Sequence, residues 1–175
     1  MRQFTYVLLL GLVLAFIAFQ ARTGIFRRQN PGEPANKYMR QMMESPQLSE
    51  DDAALLMQRY PTAHSNPSGL RYVVRFPGAG EPVPAGSELT VNYTGTLLAT
   101  GEKFDSSFDR GRPFTFRLGT GAVIKGWEEA FASMRLGEKR TLIIPYWLAY
   151  GESGRGKIPP KATLVFEVEL LAARR

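Results

Sequence analysis

Residues 88–98, ELTVNYTGTLL, alternate between apolar and polar side chains with a period of two. In an extended conformation, one face of this segment carries only apolar side chains and a glycine: Leu89, Val91, Tyr93, Gly95 and Leu97. This alternation is typical of a strand that has one face on a core and the other in solvent. Such a strand needs partner strands and an element that covers its apolar face.

Four other segments carry a strand signal, over residues 70–76, 114–118, 139–144 and 163–171. In the last of these, alternate positions from Leu164 to Leu170 are apolar. The opposite face is predicted to be the wet side of the sheet: Val165, Glu167, Glu169 and Leu171.

One segment of this region, GWEEAFASM at residues 126–134, predicts a helix that ends before Gly137. Glu128 and Glu129 suit the positive end of its dipole. Its apolar side chains recur at helical spacing and share one face: Trp127, Ala130, Phe131 and Met134. Several antiparallel strands and one short helix predict an α+β domain, with a curved sheet packed against that helix.

The amino-terminal segment predicts a membrane helix. Residues 3–21, QFTYVLLLGLVLAFIAFQA, hold no charge, and as an α-helix they would span about 28 Å, close to the hydrocarbon thickness of a bilayer. Phe16 and Phe19 stand where a cleavage site directly after Ala18 or Ala21 would need a second small residue. We therefore expect residues 1–22 to be an uncleaved signal-anchor, with a cleaved signal peptide as the alternative.

The charges flanking this helix bear on the side of the membrane that the domain occupies. Counting Arg22, Arg27 and Arg28 against Arg2 and the amino terminus places the domain in the cytoplasm. Because so short a tail precedes the helix, we prefer a signal-anchor that exports the domain. In a bacterium this is an inner-membrane protein with its domain in the periplasm.

Residues 23–65 predict a linker and a short helical arm. Proline and glycine at positions 31–34 interrupt regular structure. Two helices are expected, over residues 35–44 and 50–60, and Ser49 caps the second. The first carries a stripe that either packs within the arm or binds a partner: Met39, Met42 and Met43.

Composition excludes several kinds of chemistry. The chain has no cysteine, which removes disulfides, thiol nucleophiles and cysteine-ligated metals. Its one histidine, His64, lies in a predicted loop and leaves no histidine-based triad or zinc site. Basic and acidic residues are intermixed after residue 65, so no stripe for nucleic acid is visible. We expect no cofactor and no metal.

Two motifs are misleading. GESGRGK, at residues 151–157, matches the start of a phosphate-binding loop, but Ile158 replaces the required Ser or Thr, and two prolines then prevent the helix. Asp105 and Asp109 resemble paired catalytic carboxylates. Pairing with the adjacent arginines within a loop is the favoured interpretation.

A series of longer motifs resembles one family. VNYTGTL, GEKFDSS, RGRPFTFRLG, VIKGWEEAF, LGEKR, LAYG and IPPKATLVFEVELL occur in the order found in FKBP-type peptidyl-prolyl cis–trans isomerases. The resemblance covers residues 68–175 and implies a half-barrel wrapped around the helix, with an apolar cleft between them. It implies an isomerase domain over residues 66–175 that acts on proline-containing unfolded or nascent chains. It also implies inhibition by macrolides of the tacrolimus or rapamycin type.

The same resemblance assigns the cleft residues. It implies catalytic roles for five side chains, with Trp127 as the floor under the proline ring: Tyr93, Asp105, Trp127, Tyr150 and Phe166. It implies substrate contacts from six more: Phe104, Arg110, Phe114, Val123, Ile124 and Ile158. Tyr150 would hydrogen-bond the peptide carbonyl. Asp105, oriented by Arg110 and Tyr93, would supply a field near the turning carbonyl.

Several alternatives stay open. Phe114, Phe116 and Phe166 are equally compatible with a purely structural role in the core. Trp147 either widens an apolar surface for clients or packs beneath a loop. At the level of function, a module that grips proline-containing segments without turnover is the main competitor of the enzyme. A scaffold anchored through residues 33–65 is the weakest alternative.

Overall fold

The computed structural model describes residues 46–175, in which seven strands form one antiparallel sheet. The strands are β1 (His64–Ser65), β2 (Arg71–Phe76), β3 (Glu88–Leu97), β4 (Lys103–Ser106), β5 (Phe114–Arg117), β6 (Lys139–Ile144) and β7 (Leu164–Arg174). The helices are α1 (Glu50–Arg59), α2 (Lys125–Phe131) and a 3-10 helix (Tyr146–Leu148). The sheet order is β1-β2-β6-β7-β3-β4, and β5 shares with β4 the edge of β3 that β7 leaves open.

The five predicted strands are present as β2, β3, β5, β6 and β7, which confirms the α+β class with an antiparallel sheet. Two strands were missed because their sequences carry little pattern. The four residues of β4 mix charged and apolar side chains, and β1 has only two residues. In β1, His64 pairs with Tyr72, so its placement in a loop was wrong.

Helix α2 lies on the inner face of the sheet, as its apolar face predicted. Trp127 is 4% exposed, and Phe131 and Met134 are fully buried. A Cβ on Gly126 would clash with the side chain of Ile144 on β6, so glycine lets the helix approach the sheet closely. The helix ends at Phe131 rather than just before Gly137, because turns occupy the intervening residues.

The outer face of the sheet is covered by α1, which was not expected. Ser49 caps this helix as predicted, its hydroxyl accepting the N–H of Asp52 at 3.1 Å. Leu56 then packs into a cluster that includes Ile143 and Val165. Val165 was predicted to lie on a wet face, but it is only 5% exposed because α1 covers it.

A buried ion pair stabilises the far end of α2. The guanidinium of Arg140 on β6 donates to the carboxylate of Glu138, and the two side chains are 6% and 5% exposed. The same guanidinium donates to the hydroxyl and the carbonyl of Ser133 at 2.8 and 3.0 Å. Arg140 therefore fixes the turn that follows α2 to strand β6.

The amino-terminal predictions fall outside the described residues. These are the anchor over residues 1–22, the linker after it, and the helix over residues 35–44 with its three methionines. Within residues 46–175, no helix is long and apolar enough to cross a bilayer. Residues 47–65 belong to the same compact unit as the predicted domain that follows them.

Candidate active site

Trp127 forms the floor of an open cleft between α2 and the sheet. The indole is held by five aromatic rings whose centroids lie 5.0 to 6.1 Å away, in edge-on or tilted arrangements. Such pairs are favourable beyond their buried area and resist repacking. Trp127 is thus both a core residue and a wall of the cleft. Its indole N–H has no acceptor within residues 46–175.

One wall of the cleft depends on a missing side chain. Gly95 on β3 stands in register with Asp105 on β4 and Phe166 on β7. A Cβ at this position would lie 2.6 Å from the Phe104 ring and 2.8 Å from the Phe166 ring. Those rings pack edge to face at 5.5 Å over the glycine. Glycine at this position therefore permits the aromatic wall.

A polar group of three side chains stands at the cleft. The hydroxyl of Tyr93 donates to the carboxylate of Asp105 at 2.6 Å, and the guanidinium of Arg110 donates to the Tyr93 oxygen. Arg110 also lies 3.2 and 3.3 Å from the two oxygens of Asp105. The backbone N–H of Ser106 donates to Asp105 as well, at 2.8 Å. The Asp105 carboxylate, about half exposed, is therefore held in one orientation by three partners. The predicted Asp105–Arg110 pairing is present, although Asp105 lies on β4 rather than in a loop.

Two further segments line the cleft, one directly before α2 and one directly after the 3-10 helix. Val123 and Ile124 precede α2, and Ile124 is the residue at its N-cap. Tyr150 follows the 3-10 helix and lines the cleft. Its hydroxyl makes no hydrogen bond to any described residue, whereas the hydroxyl of Tyr93 donates to Asp105. The Tyr150 hydroxyl is therefore free to bind a ligand.

All eleven residues assigned from the resemblance border this one cleft, including Ile158 on the loop before β7. The cleft encloses about 1290 Å³ and opens to solvent. Phe116 does not border it and packs against Trp127 and Phe131 in the core. Phe114 and Phe166 do border it. The structure thus groups the residues, while their individual roles in catalysis and binding stay predictions.

The two acids at the start of α2 fasten neighbouring loops instead of the helix itself. The Glu128 carboxylate accepts the backbone N–H groups of Gly119 and Gly121 at 2.6 and 2.8 Å. Glu129 accepts from the amide of Asn66 at 2.5 Å and from the hydroxyl of Ser68 at 2.9 Å. These contacts join residues 66–68 and 119–121 to the helix that carries Trp127.

Trp147 packs beneath a loop, which decides between the two predicted alternatives. Its indole N–H donates to the Ser68 carbonyl at 2.9 Å. A Cβ on Gly69 would lie 2.7 Å from the indole, so the ring rests directly on the glycine backbone. Trp147 is absent from the residues that border the cleft.

Sequence reasoning missed several charged residues that border the cleft, namely Lys125, Glu128, Glu129, Arg155 and Lys157. Their positions depend on which way exposed side chains lie beside the cleft. Their closeness in sequence to predicted cleft residues could have identified them, since each stands within three residues of one. It also missed Ser107, which is fully buried and whose hydroxyl accepts the Tyr93 N–H at 3.0 Å.

The fold and the cleft define a class of α+β domain with an open, aromatic-lined cleft between a curved sheet and one helix. A model of the FKBP-type peptidyl-prolyl cis-trans isomerase family matches residues 80–171. An FK506-binding protein of Neisseria meningitidis serogroup B is 56% identical over 95 residues, covering 54% of this chain and 86% of that protein. The chain belongs to the FKBP-type peptidyl-prolyl cis–trans isomerase family.

Other relatives extend the comparison. FK506-binding protein 2B of Rhizopus delemar is 61% identical over 88 residues, which are 50% of this chain and 42% of that protein. Peptidyl-prolyl cis-trans isomerase FPR2 of Saccharomyces cerevisiae is 58% identical over 87 residues, 49% of this chain and 64% of that protein. The chain thus spans less than two thirds of these two relatives. The crystal structure of AtFKBP13 superposes with a TM-score of 0.61 at 39% identity, covering 63% of this chain and 97% of that one.

Proposed function

We propose that this domain accelerates cis–trans rotation of X–Pro peptide bonds in folding polypeptides. The observation that carries the proposal is the cleft itself, in which eleven predicted residues surround a space floored by Trp127. The uncatalysed rotation meets a barrier of about 18–20 kcal/mol because amide resonance must be broken. It takes tens to hundreds of seconds, slow enough to limit folding.

The proposed mechanism is non-covalent. A twisted amide has lost resonance, so its carbonyl carries less charge separation than the planar form. Aromatic side chains that replace water around the bound amide therefore favour the twisted state relative to the planar ground state, which is differential binding. The free hydroxyl of Tyr150 donates a hydrogen bond to a carbonyl of the bound peptide. The fixed carboxylate of Asp105 supplies an electrostatic field near the carbonyl that turns during the rotation. Trp127 lies under the proline ring.

The test is the cis–trans exchange rate of an Ala-Xaa-Pro-Phe peptide with the full chain in detergent. We expect acceleration that falls to the spontaneous rate when tacrolimus or rapamycin is added, because both occupy the proposed proline site. An exchange rate equal to the spontaneous value in the absence of inhibitor would refute the proposed isomerase activity. Retained client binding by a Tyr150→Phe, Asp105→Leu double variant, with normal complementation in cells, would instead favour a binding module.

We further propose that residues 1–22 anchor the chain in the inner membrane of a bacterium, and that residues 23–65 connect the anchor to an isomerase domain in the periplasm. The uncharged stretch between Arg2 and Arg22 and the lack of a small-residue cleavage site support this proposal. Enzymatic reporters fused after Arg175, one active only outside the cytoplasm and one only inside, test the orientation. Activity of the cytoplasmic reporter alone would contradict it.

A further inference from the structure

The charged side chains at the cleft are unequally paired. Its three carboxylates are engaged by neighbours: Asp105 by a tyrosine and an arginine, Glu128 by two backbone amides, and Glu129 by an amide and a hydroxyl. Lys125, Arg155 and Lys157 are exposed and border the same cleft. In the described part of the chain, none of these three cations forms an ion pair.

The three cations do not have the same surroundings. Lys125 precedes Glu128 and Glu129 on one helix at i+3 and i+4, so two negative charges offset it locally. Arg155 and Lys157 share a loop in which the one acid, Glu152, is paired with Lys161 at 3.3 Å. The loop side of the cleft therefore presents two positive charges without a local counter-charge.

The backbone holds these two charges at the cleft. Arg155 and Ile158 exchange two backbone hydrogen bonds of 2.9 Å each, and Ile158 is buried in the core. A Cβ on Gly154, whose φ is +68°, would lie 2.6 Å from the carbonyl carbon of Pro159, so the turn is closely packed. Arg155 and Lys157 therefore stand on either side of Gly156 in a closed turn that ends at the buried Ile158.

We infer that the cleft favours polypeptide segments that carry an acidic side chain next to the proline. The inference rests on the proposed isomerase function and specifies its substrate class. A Glu or Asp beside a bound proline is attracted by the positive charges of Arg155 and Lys157, neither of which has an ion-pair partner within residues 46–175. A Lys at the same position is repelled by them. Because the charges are exposed, each contact is screened by water and by salt.

The test compares three peptides, with Glu, Gln or Lys immediately before the proline, and a second series with the same residues immediately after it. The full chain in detergent is assayed by NMR exchange at low ionic strength. In at least one series we expect kcat/KM to fall in the order Glu, Gln, Lys. The expected span is about three- to tenfold, and it shrinks at higher salt.

A double variant, Arg155→Gln with Lys157→Gln, is expected to abolish the Glu-to-Lys ratio. The matched control is Arg117→Gln with Arg174→Gln, which removes the same charge from exposed positions outside the cleft. The control is expected to keep the ratio. A double variant that fails to fold leaves the peptide series and its salt dependence as the test.

The outcomes separate this inference from the function on which it rests. Equal rates for Glu, Gln and Lys in both series, all above the spontaneous rate, would overturn the charge preference and leave the isomerase intact. A Glu preference that persists in the double variant would likewise overturn the role of Arg155 and Lys157. If even the Gln peptides exchange at the spontaneous rate, the isomerase function fails, and the inference fails with it.

Discussion

The inner and outer faces of the sheet are each covered by one helix, but only the inner face keeps a cleft. On adjacent positions of β7, Phe166 faces inward and borders the cleft, whereas Val165 faces outward and is sealed beneath α1. The outer contact uses aliphatic side chains such as Leu56, which fill space closely. The inner contact uses rings in edge-on arrangements around Trp127. The outer face is thus sealed by a small aliphatic cluster, whereas the inner face carries both the main core and the cleft.

The largest effect on the free energy of unfolding is expected beside α2, the helix on the inner face, where the buried ion pair of Glu138 and Arg140 lies. Replacing Arg140 with Met leaves the Glu138 carboxylate buried without its partner, and we expect a loss of about 3–5 kcal/mol in the free energy of unfolding. Urea denaturation measures it. The matched variant Glu138→Leu with Arg140→Met should recover most of the loss, and a double variant no more stable than the single one would contradict the explanation.

Leu56→Ala tests the outer face. Removing a fully buried side chain from the α1 cluster should lower the free energy of unfolding by about 2–4 kcal/mol. Because the cleft lies on the other face, kcat/KM of the folded protein should stay unchanged. The exposed Met57→Ala on the same helix is the control and should have little effect on either quantity. A large fall in kcat/KM for folded Leu56→Ala would show that the faces are not independent.

Gly95→Ala is the complementary change on the inner face. A methyl group there must displace Phe104 or Phe166, with an overpacking cost of about 1–3 kcal/mol. We expect kcat/KM to fall by more than tenfold, since the aromatic wall moves. Thr96→Ala, on the same strand but the opposite face, serves as the comparison. Wild-type kcat/KM in Gly95→Ala would mean that the wall is not needed for catalysis.

Tyr150→Phe should separate binding from stability most cleanly. Its hydroxyl has no hydrogen-bond partner among residues 46–175, so the free energy of unfolding should not change. Loss of one neutral hydrogen bond to substrate, about 0.5–1.5 kcal/mol, should lower kcat/KM roughly two- to tenfold. An unchanged kcat/KM would remove Tyr150 from the mechanism.

The smallest effect concerns pH and lies on the outer face. Burial, followed by the nearby charge of Glu167, raises the pKa of Tyr60 above the ordinary tyrosine value of about 10. The folded state therefore favours the protonated phenol, and stability should be lost as pH rises above 10 toward the raised pKa. Tyr60→Phe should flatten this alkaline decline in urea denaturation. An equally steep decline in the variant would assign it to other groups.

The sequence predicted the inner face of the sheet better than the outer face. The five predicted strands and the inward Trp127 follow from local periodicity, and the cleft residues follow from ordered motifs. The burial of Val165 could not be predicted, because it depends on a helix more than a hundred residues earlier in the chain. The ion pair of Glu138 and Arg140 was missed for a different reason: residues two apart share a face of a strand, but their sequence does not show that this face is buried.

The most direct test uses the two indole N–H signals of the chain in ¹H–¹⁵N spectra, assigned with Trp147→Phe. The account predicts that an X–Pro peptide shifts the Trp127 signal, with half-saturation at the concentration that half-saturates catalysed exchange. The Trp147 signal, bonded to the Ser68 carbonyl, should stay in place. Accelerated exchange with an unmoved Trp127 signal would contradict the placement of the proline over this indole.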